Sequence, residues 1–152
     1  MFQLHPQLSQ DCAYLGRFTL CHVLWMRDAN YPWAILVPDR VAVREIHELS
    51  AEDQAQLIRE SSCLSRVLAA RFEAHKMNLG ALGNLVPQLH IHHVVRYRSD
   101  PAWPAPVWGR VLPRAYDSQA LAETLAGLQQ ALQGEMGFQP GDIGALEHQE
   151  ER

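Results

Sequence analysis

The sequence predicts an α+β domain, and three observations carry that prediction. Two short apolar runs are joined by a turn-forming segment, one long stretch repeats apolar residues at helical spacing, and Gln88-Leu89-His90-Ile91-His92 alternates polar with aliphatic residues. Apolar runs separated by short turns pair antiparallel, and a long amphipathic helix must bury its stripe against the resulting sheet.

Residues 20–26 are rich in apolar and aromatic side chains and read as a strand. Arg27-Asp28-Ala29-Asn30-Tyr31-Pro32 follows as a turn, because Asp, Asn and Pro favour turn geometry. Residues 33–37 form the second strand of a hairpin, closed by Pro38 and Asp39. Ser50 then caps a helix expected to run to about His75, with Glu52 and Asp53 at the positive end of its dipole. Leu57, Ile58, Leu64, Val67, Leu68 and Phe72 make its apolar stripe, while Arg59, Glu60, Arg66 and Glu73 fall on the wet side. A further strand is expected within 77–84, weakened by Gly80 and Gly83, and another over 88–97. Residues 99–113 are rich in proline and tryptophan and read as a stiff ordered loop, since proline removes amide donors. Asp117 or Ser118 caps a last helix with a Leu121, Leu125, Leu128, Leu132 stripe, stopped by Gly134. That stripe reads as core, with a subunit interface as the alternative. The single domain spans 1–136, and the chain from Gly137 onward reads as a frayed tail.

Composition sets bounds on function. At 152 residues the chain is one domain with enough length for a real core. Hydrophobic residues at 47% and charged residues at 20% describe a soluble globular protein. A net charge of −4 argues against binding to a nucleic-acid backbone or an anionic membrane. It leaves room for a small anionic substrate held by backbone and imidazole donors. Cys12, Cys21 and Cys63 are an odd set without close pairing, which points to a reducing compartment rather than a disulfide framework. No apolar run approaches the ~20 residues of a membrane span. Residues 1–11 show no secretory signal, so the expected location is the cytosol.

The alternating run carries the chemistry. In an extended strand, Gln88, His90 and His92 share one face, and Leu89, Ile91, His93 and Val95 share the other. A neutral imidazole has a nucleophilic lone pair at physiological pH. Attack on phosphorus needs one ring nitrogen free and the other N–H held by an acceptor. It also needs donors for the phosphoryl oxygens and the leaving group. The Gly83-Asn84 turn just upstream lets backbone approach a phosphate closely.

Gln88-Leu89-His90-Ile91-His92-His93-Val94 resembles the H-x-H-x-H-x-x motif of the histidine triad (HIT) superfamily of nucleotide hydrolases and transferases. Trp33-Ala34-Ile35-Leu36-Val37-Pro38 resembles that family's strand ending in valine-proline, residues 50–72 its long helix, and residues 78–96 its active-site hairpin. The resemblance spans about residues 15–98. Pro87-Gln88-Leu89-His90 with Asp100-Pro101-Ala102-Trp103-Pro104 is similar to a bacterial branch in which glutamine replaces the first histidine.

The resemblance implies an antiparallel sheet of about five strands with one long helix on it and a C-terminal helix. It implies an enzyme, with hydrolase favoured over transferase, acting on the α-phosphate of a dinucleoside polyphosphate, nucleoside phosphoramidate or similar compound. His90 is the implied nucleophile and His92 the implied contact to the phosphate or its leaving group. Gln88 joins them as the third catalytic candidate; it can donate and accept hydrogen bonds but does not titrate near pH 7. Asn84, Asp28 and Asn78 are the implied substrate contacts. No cofactor is implied beyond a divalent cation that can accompany the nucleotide, and the partner is that nucleotide plus a second copy in a homodimer.

Two departures besides Gln88 stand out. Trp33 occupies a position where many members have a supporting histidine, and His93 one where an apolar residue is usual. Superfamily uridylyltransferases also carry a glutamine, but at the third position, so Gln88 adds little to a transferase reading.

Two rivals stand beside the enzyme. Loss of the first histidine motivates a non-catalytic nucleotide-binding or regulatory module. His-x-His is also a metal-ligand spacing, but no Asp, Glu or Cys completes the set and His93 faces away, so a metal-dependent hydrolase using His90 and His92 comes last. Trp103 and Trp108 either pack the proline-rich loop or stack on the substrate base. His5, His22, His47, His75 and His148 read as surface or capping residues, and Cys63 as core.

Overall fold

Trp33-Ala34-Ile35-Leu36-Val37-Pro38 is apolar throughout, and all six residues are buried. A continuous apolar run of this length fits a strand covered on both faces. In the computed structural model, which describes residues 1–142, this run is β3 (Trp33–Pro38), in the interior of a sheet. The other strands are β1 (Cys12–Arg17), β2 (Cys21–Met26), β4 (Lys76–Gly80), β5 (Ile91–Arg96) and β6 (Gln139–Pro140). They lie in the order β4-β5-β3-β2-β1-β6, and each neighbouring pair is antiparallel. The helices are α1 (Pro6–Asp11), α2 (Ala51–Arg71) and α3 (Ser118–Leu132). The α+β class expected from the sequence is the class observed, with six strands where about five were expected.

One face of the sheet packs on the two long helices. Val23, Trp25, Leu36, Ile91 and Val95 meet Leu57, Leu64 and Leu68 of α2 and Leu125, Leu128 and Leu132 of α3. The α3 leucine stripe is therefore core. The opposite face is not left open. Instead Leu24, Trp33, Ile35, Val37 and Val94 are covered by Leu8 of α1 and by Ala102 and Val107 of the proline-rich loop.

Caps explain the helix limits. The Ser50 hydroxyl accepts from the Asp53 amide, and the Asp117 carboxylate accepts from the Ala120 amide. α2 stops at Arg71 rather than near His75, because Phe72 leaves helical geometry and Glu73 follows at φ 50°. Two of its residues reverse the expected pattern. Ile58 is exposed, and Glu60 is fully buried. The Glu60 carboxylate accepts from the amides of Leu20 at 2.7 Å and Cys21 at 2.9 Å, so α2 fixes the start of β2 through a buried acid.

The remaining differences concern short elements. α1 has six residues with only Leu8 buried, too few for a periodic signal. The chain after Gly137 is not frayed at once: Gln139 and Pro140 pair with Arg17 and Gly16. Gly16 permits this docking, since a Cβ there would lie 2.4 Å from the Gln139 carbonyl oxygen. The rest of the expected tail, residues 143–152 with His148, lies outside the described residues. Among the described residues no helix is long and apolar enough to cross a membrane.

Candidate active site

β5 begins at Ile91, so the residues before it are not held by strand geometry. Residues 81–90 are irregular, and the Leu89 amide bonds across to the Val43 carbonyl. This changes the expected face. The side chain of Gln88 does not sit beside the two histidines. Its Oε1 accepts from the His5 amide and its Nε2 donates to the Gln3 carbonyl, both at 2.9 Å. Gln88 thus clips the N-terminal segment to the irregular stretch leading into β5, beside a cleft of about 720 Å³ lined by Leu4, His5, Val43, Arg44 and Gln88 among others.

The main chain of Gln88 does touch a histidine. Its carbonyl lies 2.7 Å from His90 Nδ1. A carbonyl only accepts, so Nδ1 carries the proton and the neutral ring keeps its lone pair on Nε2. Nε2 has no protein partner among the described residues and is not one of the buried unpaired atoms, so it meets solvent. His90 as a whole is only 6% exposed, and its unpaired ring nitrogen is the part that reaches solvent.

His92 has the opposite tautomer. The indole N–H of Trp33 donates to His92 Nδ1 at 3.0 Å. Indole nitrogen is a donor only, so Nδ1 must be bare and Nε2 carries the proton. Nε2 again has no protein partner among the described residues and meets solvent. The two rings stand 4.9 Å apart at 69°. One therefore presents a lone pair and its neighbour an N–H. Burial, then the charges of His90 and His93, pushes the His92 pKa down to about 3.

His93 faces the helix side, as strand alternation requires. Its Nδ1 donates to the Ile91 carbonyl at 3.1 Å, and its Nε2 accepts from the Ser61 hydroxyl at 2.7 Å. Both nitrogens are used and the residue is fully buried, with a pKa pushed down to about 4 by burial. It is a structural residue that holds β5 to α2.

Among the described residues none of the three expected substrate contacts hydrogen-bonds to either histidine. Asn84 is an exposed residue in the bend after Gly83. Asp28 Oδ1 accepts from the amides of Asn30 at 2.9 Å and Arg114 at 3.1 Å, which ties the hairpin turn to the segment before α3. Asn78 Oδ1 accepts from Arg96 at 2.6 Å and is committed to the fold.

The tryptophans are the residues that the sequence undervalued. Trp108 meets both Trp33 and His92 edge to face, at 6.1 and 5.4 Å. It lies against β4, where a Cβ at Gly80 would be 3.2 Å from its ring. Trp103 instead packs over the guanidinium of Arg96 and the ring of His75. The sequence marks Trp33 by its place in the motif of β3, but not its diagonal reach to His92, since the register sets Trp33 opposite Val94 and Ile35 opposite His92. Among the described residues no group of three or more His, Cys, Asp or Glu has a metal-binding arrangement.

Residues 7–99 match the HIT domain family. The chain is 52% identical to a histidine triad protein from Marinobacter aquaeolei VT8, with a TM-score of 0.85 over 87% of this chain and 96% of that one. It is 43% identical to the histidine triad protein blr8122 from Bradyrhizobium japonicum, with a TM-score of 0.84 over 86% and 97%. A histidine triad protein from Sinorhizobium meliloti 1021 is 37% identical, with a TM-score of 0.84 over 87% and 98%. The NitFhit protein of C. elegans, at 16% identity and a TM-score of 0.59, shares the fold. No curated protein matches the sequence.

Proposed function

The chain belongs to the histidine triad family, and from that premise we propose that it is an enzyme that transfers a nucleoside monophosphate unit through His90, most often to water. The observation that carries this reading is the His90 ring, whose Nδ1–H is held by the Gln88 carbonyl while Nε2 meets solvent.

Nε2 attacks the α-phosphorus of a dinucleoside polyphosphate, a nucleoside phosphoramidate or a similar compound. A P–N bond forms, the bond from phosphorus to the leaving group breaks, and the leaving group takes its proton from solvent. The ring becomes cationic, and the Gln88 carbonyl stabilises that charge through Nδ1–H. Water then attacks the phosphorus, the P–N bond breaks, and the lone pair returns to Nε2. His92 supplies an N–H to the phosphoryl oxygen or the leaving atom. The histidines do this without a metal; a divalent cation accompanies the nucleotide where its phosphates require one.

The remaining residues take graded roles. Gln88 supports catalysis through its main chain and holds the N-terminal segment with its side chain. Asn84 contacts the phosphate from the bend. Asp28 has Oδ2 left for a ribose hydroxyl after Oδ1 takes two amides. Asn78 ranks last, because only its amide nitrogen remains. The Q-x-H-x-H pattern, with glutamine at position 88, supports reading the chain as a member of a bacterial branch of the family. The working unit is a homodimer, a reading supported by the edge strand β4 with exposed Leu79 and by exposed Leu82 and Leu85 after it.

His90→Ala tests the proposal. Turnover of adenosine 5′-phosphoramidate and of dinucleoside polyphosphates should fall by at least roughly a thousandfold, as for loss of a nucleophile. The urea midpoint should stay close to that of the parent. Unchanged turnover would remove the proposal. Nucleotide binding by the parent without any release of product would favour the binding module instead.

A further inference from the structure

The third motif histidine is enclosed by two tryptophans, and only one of them reaches its nitrogen. Trp33 enters from β3 and donates its indole N–H to His92 Nδ1 at 3.0 Å. Trp108 enters from the proline-rich loop and presents an edge at 5.4 Å, and its indole nitrogen has no hydrogen bond among the described residues. Ile35 stands opposite His92 in the β3–β5 register, and Gly80 opposite it in the β4–β5 register. The titratable groups acting on His92 are His90 at its side and His93 on the other face of the strand. No acid is among them.

We propose that Trp33 is a positioning residue that locks His92 as a neutral ring with its proton on Nε2, so that His92 acts as a fixed hydrogen-bond donor and not as a titrating acid. Protonating His92 would place an N–H on Nδ1, directly facing the indole N–H. Two donors would then share one 3.0 Å contact inside a buried site. A histidine at position 33 would not impose this, because imidazole can also present an acceptor to its neighbour. A phenylalanine would keep most of the packing and release the lock. The consequence for chemistry is a division of labour. His90 supplies the electron pair, His92 supplies a dipole aimed at developing charge, and the leaving group finds its proton in solvent.

The catalytic part of this inference rests on the nucleotidyl-transfer reading, but the lock itself does not. The test therefore reads the imidazole directly. In ¹⁵N-histidine-labelled parent protein, His92 should show a bare, pyridine-like Nδ1 and a protonated Nε2, unchanged from pH 8 to about pH 5, well above the value of about 3 to which burial pushes it. In Trp33→Phe the His92 signals should begin to titrate at higher pH. The kcat/KM for adenosine 5′-phosphoramidate should fall roughly tenfold to a hundredfold, the scale for losing a partner that orients a working imidazole. If Trp33→Phe does not fold, the parent spectra still decide. A proton on His92 Nδ1, or a cationic His92 near neutral pH, would overturn the lock. Identical His92 titration in parent and variant would overturn it as well. Absence of turnover by the parent would count against the transfer reading and leave these spectra equally decisive for the tautomer.

Discussion

His90 and His92 sit two residues apart and carry their protons on opposite ring nitrogens. Each tautomer follows from a single neighbour, a carbonyl in one case and an indole in the other. The histidines and their spacing were legible from alternation, and so was the inward turn of His93. The direction of the Gln88 side chain was not, because parity applies only inside a strand and β5 begins at Ile91. Glu60 misled for a different reason. Helical spacing placed it on the wet side, and nothing local to α2 reveals two amides waiting 39 and 40 residues upstream. Glu60→Ala leaves those buried amides of Leu20 and Cys21 unpaired. It should cost about 3 kcal/mol, summed from a charged hydrogen bond and the desolvated donors. Urea denaturation of the variant against the parent checks this.

Elements with a bounded apolar pattern were readable and the others were not. α2 and α3 announce themselves by caps and apolar stripes, and β2 and β3 by apolar runs bounded by turn residues. α1 buries only Leu8, β1 is broken by a register shift between Tyr14 and Gly16, and β6 is two residues defined by pairing with β1, so none of them shows a bounded pattern of its own. The proline-rich loop was recognised as stiff, but its anchor was not visible. Arg96, at 1% exposure, forms a two-pronged ion pair with Asp100 and also donates to Ala105 O and Asn78 Oδ1. Burial pushes the Asp100 carboxyl up, but hydrogen bonds from Arg96 and from the Tyr97 and Ala102 amides hold it below its ordinary value. This knot fixes the loop that carries Trp108 to His92. Asp100→Ala should destabilise the protein by roughly 3–5 kcal/mol, because it leaves a buried guanidinium without its acid. The loss is measured as a lower urea midpoint.

At the scale of the whole molecule, buried neutral histidines couple folding to pH. His93 is held down to about 4 and His92 to about 3, mainly by burial. His22 is also lowered, by burial that outweighs the nearby Asp39. In the unfolded chain these rings titrate near 6.5. Below that value the unfolded state binds protons that the native state refuses, so stability declines as pH falls from about 6.5 toward 4 and then 3. Each histidine contributes at most about 1.4 kcal/mol per pH unit within its window. Asp100, with its lowered pKa, adds a further loss below its ordinary 3.8. The urea midpoint, followed by tryptophan fluorescence, should therefore be clearly lower at pH 5 than at pH 7. Equal midpoints would mean that the histidines are not held neutral by the fold.

The most direct measurement is mass spectrometry of the protein quenched in alkaline denaturant during turnover of a nucleoside phosphoramidate or dinucleoside polyphosphate. The expected result is a peptide heavier by one nucleoside monophosphate, with the adduct on His90 and none in His90→Ala. Turnover with no protein adduct at any time after mixing, or an adduct on another residue, would contradict the account.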